Sequence, residues 1–157
     1  MGLLGFHELK SKLEKYCAYQ ERSLFSVRTK LASLSSDSKT IDRVLDHLIE
    51  EGFLNQKRFI ESYVQGKINQ KHWGKSKIKS GLIQNRIPAD LIKKALDCIE
   101  MEKYLGNMRE LAVKKGMALS KELSPYEKKM KVVRFLYSKG YSINDWEENG
   151  LDRLFPS

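Results

Sequence analysis

Gly81-Leu82-Ile83-Gln84-Asn85-Arg86-Ile87 leads into Leu91-Ile92, and Phe135-Leu136-Tyr137-Ser138-Lys139-Gly140-Tyr141 leads into Asp145-Trp146. Leu82, Ile87 and Ile92 are spaced five and five, as are Leu136, Tyr141 and Trp146. Each stretch reads as a short helix, a short turn and another helix, preceded by a longer helix. Val27, Leu31 and then Val44 repeat that order with a longer turn. Three copies of about fifty residues predict three tandem three-helix, helix-turn-helix-like repeats, approximately 6–52, 53–100 and 101–152. One such repeat is too small to bury its own apolar faces, so the expected arrangement is end-to-end packing into an elongated, curved body.

Apolar residues outside these stretches also recur at intervals of three and four, the helix period, and strand signals are nearly absent. Phe6, Leu9, Leu13, Tyr16 and Cys17 form a first stripe. Ser23 reads as an N-cap ahead of Val27 and Leu31, and Ser35-Ser36-Asp37-Ser38 as a turn. Ile41, Val44, Leu45, Leu48 and Ile49 make a third stripe that stops at Gly52. Phe59, Ile60, Tyr63, Val64 and Ile68 follow, with a break at Gly74 and then Ile78, Leu82 and Ile83. Pro88 suits the first turn of the next helix. A long helix runs from Met101 to about Gly116, Ser124-Pro125 opens another, and a last short one contains Trp146. The fold class is all-α.

The 157 residues are 41% apolar and 31% charged, enough for one domain with an adequate core and no disulfide or metal staple. No run of 18 uncharged apolar residues suggests a membrane span, the start of the chain does not resemble a secretory leader, and position 6 lacks the Ser or Thr of a myristoylation signal. Cys17 and Cys98 both fall within apolar helical patterns and are expected to be buried free thiols. These features point to a cytoplasmic protein.

Twenty-nine basic side chains against twenty acidic ones give a net charge of +9. The excess is local. Residues 57–86 hold Lys57, Arg58, Lys67, Lys71, Lys75, Lys77, Lys79 and Arg86 against Glu61 alone, a net of +7. Such a window suits a polyanion, because each neutralised phosphate releases condensed counterions. Lys75 and Lys79 are four apart on one helix face, Lys67 and Lys71 four apart on the preceding one. These four are the lead candidates for a partner or polyanion surface, with Lys77, Arg58 and Arg86 as further members. Lys128, Lys129, Lys131 and Arg134 form a second basic group, which Glu127 equally suits to an exposed salt-bridge face. Trp73 lies inside the basic window and is expected to close a gap between repeats. Tyr63, Tyr141 and Trp146 read as core.

Enzyme readings fail on the residues. Gly74-Lys75-Ser76 imitates the end of a phosphate-binding loop, but Asn69 stands where that loop requires Gly, and no strand precedes it. His7, His47 and His72 are far apart, and neither cysteine has a neighbour at ligand spacing, so no metal or other cofactor is expected. Glu50-Glu51 and Glu147-Glu148 are adjacent pairs that diverge on a helix and read as caps or solvated charge.

Four stretches resemble the RecX family, regulatory proteins that act on the bacterial recombinase RecA. They are Tyr19-Gln20-Glu21-Arg22-Ser23-Leu24-Phe25 with Val27 to Leu31; Leu48 to Val64, containing Glu50-Glu51-Gly52-Phe53-Leu54; Trp73-Gly74-Lys75-Ser76-Lys77-Ile78-Lys79 leading to Ile87; and Phe135 to Tyr141. Lys15-Tyr16-Cys17-Ala18-Tyr19-Gln20 is similar to the versions found in Bacteroidetes. Gln20, Asn55 and Ile60 depart from the residues usual in the family, at positions that read as local capping or packing. The resemblance implies three tandem three-helix repeats, binding to RecA filaments, and restraint of filament growth, ATP hydrolysis and strand exchange. It implies no catalytic residue, and a monomer is expected.

A second reading stays open from the residues: a DNA-binding protein using its repeats as helix-turn-helix modules. Asp90-Leu91-Ile92-Lys93-Lys94-Ala95-Leu96-Asp97 is poor in the Arg, Asn and Gln that read base edges, so such binding would be sequence-tolerant.

Overall fold

The computed structural model describes residues 4–156, and among these the regular structure is helical throughout. In chain order the helices are α1 (Phe6–Tyr19), α2 (Leu24–Leu34), α3 (Ser38–Glu50), α4 (Gln56–Gly66), α5 (Lys75–Gln84), α6 (Ala89–Asp97), α7 (Met101–Ala118), α8 (Pro125–Ser138) and α9 (Ile143–Glu148). A π-helical segment, Lys67–Lys71, follows α4, and a 3₁₀ turn, Leu151–Leu154, follows α9. No helix among the described residues is long and apolar enough to cross a membrane. The chain divides into two compact units, residues 1–63 and 64–157.

In the first unit, Leu9, Leu13 and Cys17 of α1 meet Val27, Leu31, Val44, Leu45 and Leu48 in one buried cluster. Burial pushes the Cys17 thiol above its ordinary pKa. Helix starts follow the side chains that cap them. The Ser23 hydroxyl accepts from the Ser26 N–H at 3.0 Å, and Asp37 accepts from Lys39 at 3.2 Å. Asn55 accepts from the Arg58 N–H at 2.9 Å, the local capping role expected of it. Ile60 is buried, the packing role expected of it. His47 Nε2 donates to the Glu14 carboxylate at 2.8 Å on the edge of this core.

In the second unit the repeated intervals of five become one repeated device. Leu82, Ile87, Ile92, Leu136, Tyr141 and Trp146 are all buried. The Ile87 N–H donates to the Leu82 carbonyl and the Tyr141 N–H to the Leu136 carbonyl, both at 3.1 Å. Each bond closes the helix end with a left-handed residue just before it: Arg86 (φ 59°) in the first case, Gly140 (φ 102°) in the second.

Four expectations need correction. Cys98 is exposed, not buried: it caps the end of α6, and Ile99 takes the inward position. Ile49 and Ile83 are half exposed, because each follows a core leucine (Leu48 and Leu82) and so lies about 100° further round its helix. Glu127 serves as a cap: its carboxylate accepts from the Ser124 N–H while the Ser124 hydroxyl accepts from the Glu127 N–H. Tyr63, read as core, is only partly buried.

Candidate partner-binding surface

The basic window becomes the π-helical segment, the Trp73-Gly74 turn and α5. No side chain caps α5. Its first N–H groups are satisfied instead from the α7–α9 part of the unit. Gly74 donates to the Lys139 carbonyl at 2.7 Å, Ser76 to the Gly140 carbonyl at 3.1 Å, and Lys75 to the Tyr104 hydroxyl at 2.9 Å. Tyr104, fully buried, donates a hydrogen bond from its hydroxyl to Asp145 at 3.1 Å, and Asp145 also closes the capping box of α9 with Ser142. Burial drives the Tyr104 phenol far above its ordinary pKa, so it stays a donor. The approach is close enough that a Cβ on Gly74 would stand 2.2 Å from the Gly140 carbonyl carbon. Tyr141 donates to the His72 carbonyl at 2.7 Å, and buried Asn107 donates to the Ile68 carbonyl at 2.9 Å. The start of the basic helix is thus docked through backbone and buried hydroxyl groups, leaving the lysine side chains outside the bonding.

Those lysines sit where electrostatics disfavours them. Lys75 and Lys77 occupy the first turn of α5, which has no acidic residue. A helix N-terminus carries about half a positive charge, and a cation there costs rather than stabilises. Lys67 and Lys77 place their ammonium groups 4.5 and 4.7 Å from the centroid of half-buried Trp73, and Lys75 lies 5.5 Å from that of Tyr104. Lys71 and Lys79 are exposed. The ion pairs formed among the described residues leave out Lys71, Lys75, Lys77 and Lys79. Concentrated positive charge beside half-covered aromatic surface suits an anionic partner.

The remaining candidates are placed differently. Arg86 ends α5 in the left-handed region. Arg58 belongs to the first unit, where its guanidinium pairs with Glu21 at 2.6 Å and donates to the Gly52 carbonyl at 2.8 Å. In the second basic group, Lys129 is paired with Asp152 at 2.7 Å, while Lys131 and Arg134 are exposed. Sequence reasoning missed Tyr104, Asn107 and Asp145, whose roles depend on contacts 29 to 41 residues apart. Among the described residues no cluster of His, Cys, Asp and Glu is arranged to hold a metal ion.

The helical fold recurs in known proteins. A family model described as the second three-helix domain of RecX matches residues 55–96, and one for the third three-helix domain matches residues 102–145. A regulatory protein RecX of Clostridium acetobutylicum is 35% identical over 150 residues, covering 94% of this chain and 63% of its own. One from Leptothrix cholodnii is 31% identical over 134 residues, covering 85% and 82%. The chain spans 55–63% of the length of the clostridial relatives it matches. The crystal structure of RecX from Lactobacillus salivarius aligns with a TM-score of 0.83 at 25% identity, over 94% of this chain and 95% of that one. A second RecX crystal structure, at 23% identity and a TM-score of 0.78, shares the fold. With the two domain models taking in more than half of its length, the chain belongs to the RecX family of regulatory proteins.

Proposed function

We propose that this chain is a non-catalytic, monomeric, cytoplasmic regulator that binds filaments of the recombinase RecA on single-stranded DNA. Binding restrains filament growth, and through it ATP hydrolysis and strand exchange. The observation that carries the reading is the unpaired lysine set on α5, held in place by a helix start that leaves every ammonium group available. Family membership supports the regulatory role. The effect on hydrolysis is indirect: a body bound to one filament conformation shifts the population toward it, or blocks addition at the growing end. No cofactor is needed for such a mechanism.

Lys67, Lys71, Lys75, Lys77 and Lys79 form the proposed contact set, with Arg86 at the end of the helix. Reading of DNA sequence is not part of the proposal. The helix that would read bases, α6, offers Asp90, Lys93 and Lys94 but no Arg, Asn or Gln, and Lys93 is paired with Asp97 at 2.7 Å. The test is charge reversal. Lys75→Glu with Lys79→Glu should weaken inhibition of RecA while leaving the far-ultraviolet circular dichroism unchanged. Inhibition at wild-type strength would remove α5 from the interface.

A further inference from the structure

The α5–α6 and α8–α9 pairs share a register. Ile78, Leu82, Ile87 and Ile92 match Val132, Leu136, Tyr141 and Trp146 at a constant offset of 54 residues, with the same helix-ending bonds. That offset sets Lys75 against Lys129 and Lys77 against Lys131. The two lysine pairs differ in their surroundings. Asp97 feels the Lys75 charge but is taken by Lys93 one turn earlier on α6. The residue matching Asp152 is Cys98, whose exposed thiol neutralises nothing. Near Lys129, Asp152 Oδ1 stands 2.7 Å from the ammonium nitrogen and accepts from the Trp146 indole N–H at 3.0 Å. The segment carrying Asp152 is anchored on both sides: Leu151 is fully buried, and Phe155 stacks on Trp146 with ring centroids 6.1 Å apart.

We propose that Lys129 with Lys131 is a second phosphate-binding position, equivalent to Lys75 with Lys77, and that Asp152 occupies it in the free protein. An arriving phosphodiester strand displaces the carboxylate. The inference rests on the reading that the α5 lysines meet a polyanion. Lysines recurring at one place in successive helix pairs match a partner whose own charge recurs along its length, as the phosphates of single-stranded DNA do; a folded acidic surface has no such recurrence. Displacement is easy because the pair is solvent-accessible, with the Lys129 and Asp152 side chains 35% and 65% exposed, and exposed ion pairs add little net stability.

Asp152→Asn separates the charge from the hydrogen bond, since its amide oxygen still accepts from Trp146. Anisotropy of a labelled thirty-nucleotide oligothymidylate, titrated with the full chain across a salt series, gives the slope of log affinity on log salt. One more phosphate contact steepens that slope by about 0.7, an extra loss of roughly 2.5-fold between 50 and 200 mM salt. Asp152→Asn should bind more tightly at the wild-type slope, because the same phosphate contact forms with no carboxylate to displace. Lys129→Gln should lose that contact and flatten the slope by about 0.7, and the double variant should lose the gain of Asp152→Asn. An unchanged affinity in Asp152→Asn, a gain that survives without Lys129, or a wild-type slope in Lys129→Gln would each overturn the proposal. Stronger inhibition of RecA by Asp152→Asn with no change on the oligonucleotide would overturn it in favour of an acidic protein surface. Lys75→Glu with Lys79→Glu run beside these variants tests the underlying reading: if that pair costs no affinity, the reading fails, whereas a loss there beside an inert Asp152→Asn removes only the masked site.

Discussion

Three glycines in residues 64–157 separate the cost of a close backbone approach from the cost of turn geometry. Gly106 lies inside α7 with nothing within 4 Å of a built Cβ, so Gly106→Ala should stabilise by about 0.5–1 kcal/mol through helix propensity alone. Gly150 has a φ of +63° and meets only the Arg153 side chain, at 3.9 Å. Gly150→Ala should therefore cost the left-handed penalty of about 1–2 kcal/mol and no more. Gly140, at φ +102°, would set its Cβ 2.7 Å from the Lys77 Cβ and 2.8 Å from the Gly74 carbonyl oxygen. Its alanine carries a similar backbone penalty, overpacking of about 1–3 kcal/mol, and loss of the Gly74–Lys139 and Ser76–Gly140 bonds at about 1 kcal/mol each. The sum is a destabilisation of roughly 4–7 kcal/mol. Both tryptophans, Trp73 and Trp146, lie in this unit, so urea unfolding followed by their fluorescence reports on it directly. A Gly140→Ala cost within about 1 kcal/mol of that of Gly150→Ala would refute the docking of α5 onto the α8–α9 turn.

Other perturbations test separate parts of the account. Tyr104→Phe keeps the packing but strands the Lys75 N–H and removes a donor to Asp145, which should cost about 1–3 kcal/mol in the same unfolding assay and speed hydrogen exchange at Lys75. Leu82→Ala, at a fully buried position, should cost about 2–5 kcal/mol. The Asp152 carboxyl is held below its ordinary value of 3.8, first by the hydrogen bond to Lys129 and then by that to Trp146. Its contribution to stability is therefore full above the unfolded value and lost as pH falls through the folded one. Carbon-detected titration should find this pKa depressed, and Lys129→Gln should raise it.

The all-α class, the helix starts at Ser23 and Ser124, and the paired α5–α6 and α8–α9 turns were legible because each has a local signature. Apolar periodicity, a hydroxyl at the cap and a fixed interval between core residues lie within a few positions of one another. Ile83 and Ile49 misled because a stripe read by composition admits any apolar neighbour, while the helix angle admits only Leu82 and Leu48. Cys98 misled for the same reason at a helix end. The candidate lysines were visible as a run of charge, but their docking was not: the bonds from Gly74 to Lys139 and from Lys75 to Tyr104 span 65 and 29 residues. Asp152 was hidden similarly, 23 residues from the lysine it neutralises. The π-helical segment had no signal in residue type; buried Asn107, which serves its Ile68 carbonyl, lies 39 residues on.

The central claim is that the filament, rather than bare DNA, is the target. Titrating this protein into a DNA-dependent ATP hydrolysis assay of RecA, with anisotropy of the same labelled single-stranded DNA alongside, tests it most directly. The account predicts inhibition well below the concentration that binds the bare strand. Inhibition that rises only as the bare strand saturates would contradict it and leave a competitor for DNA.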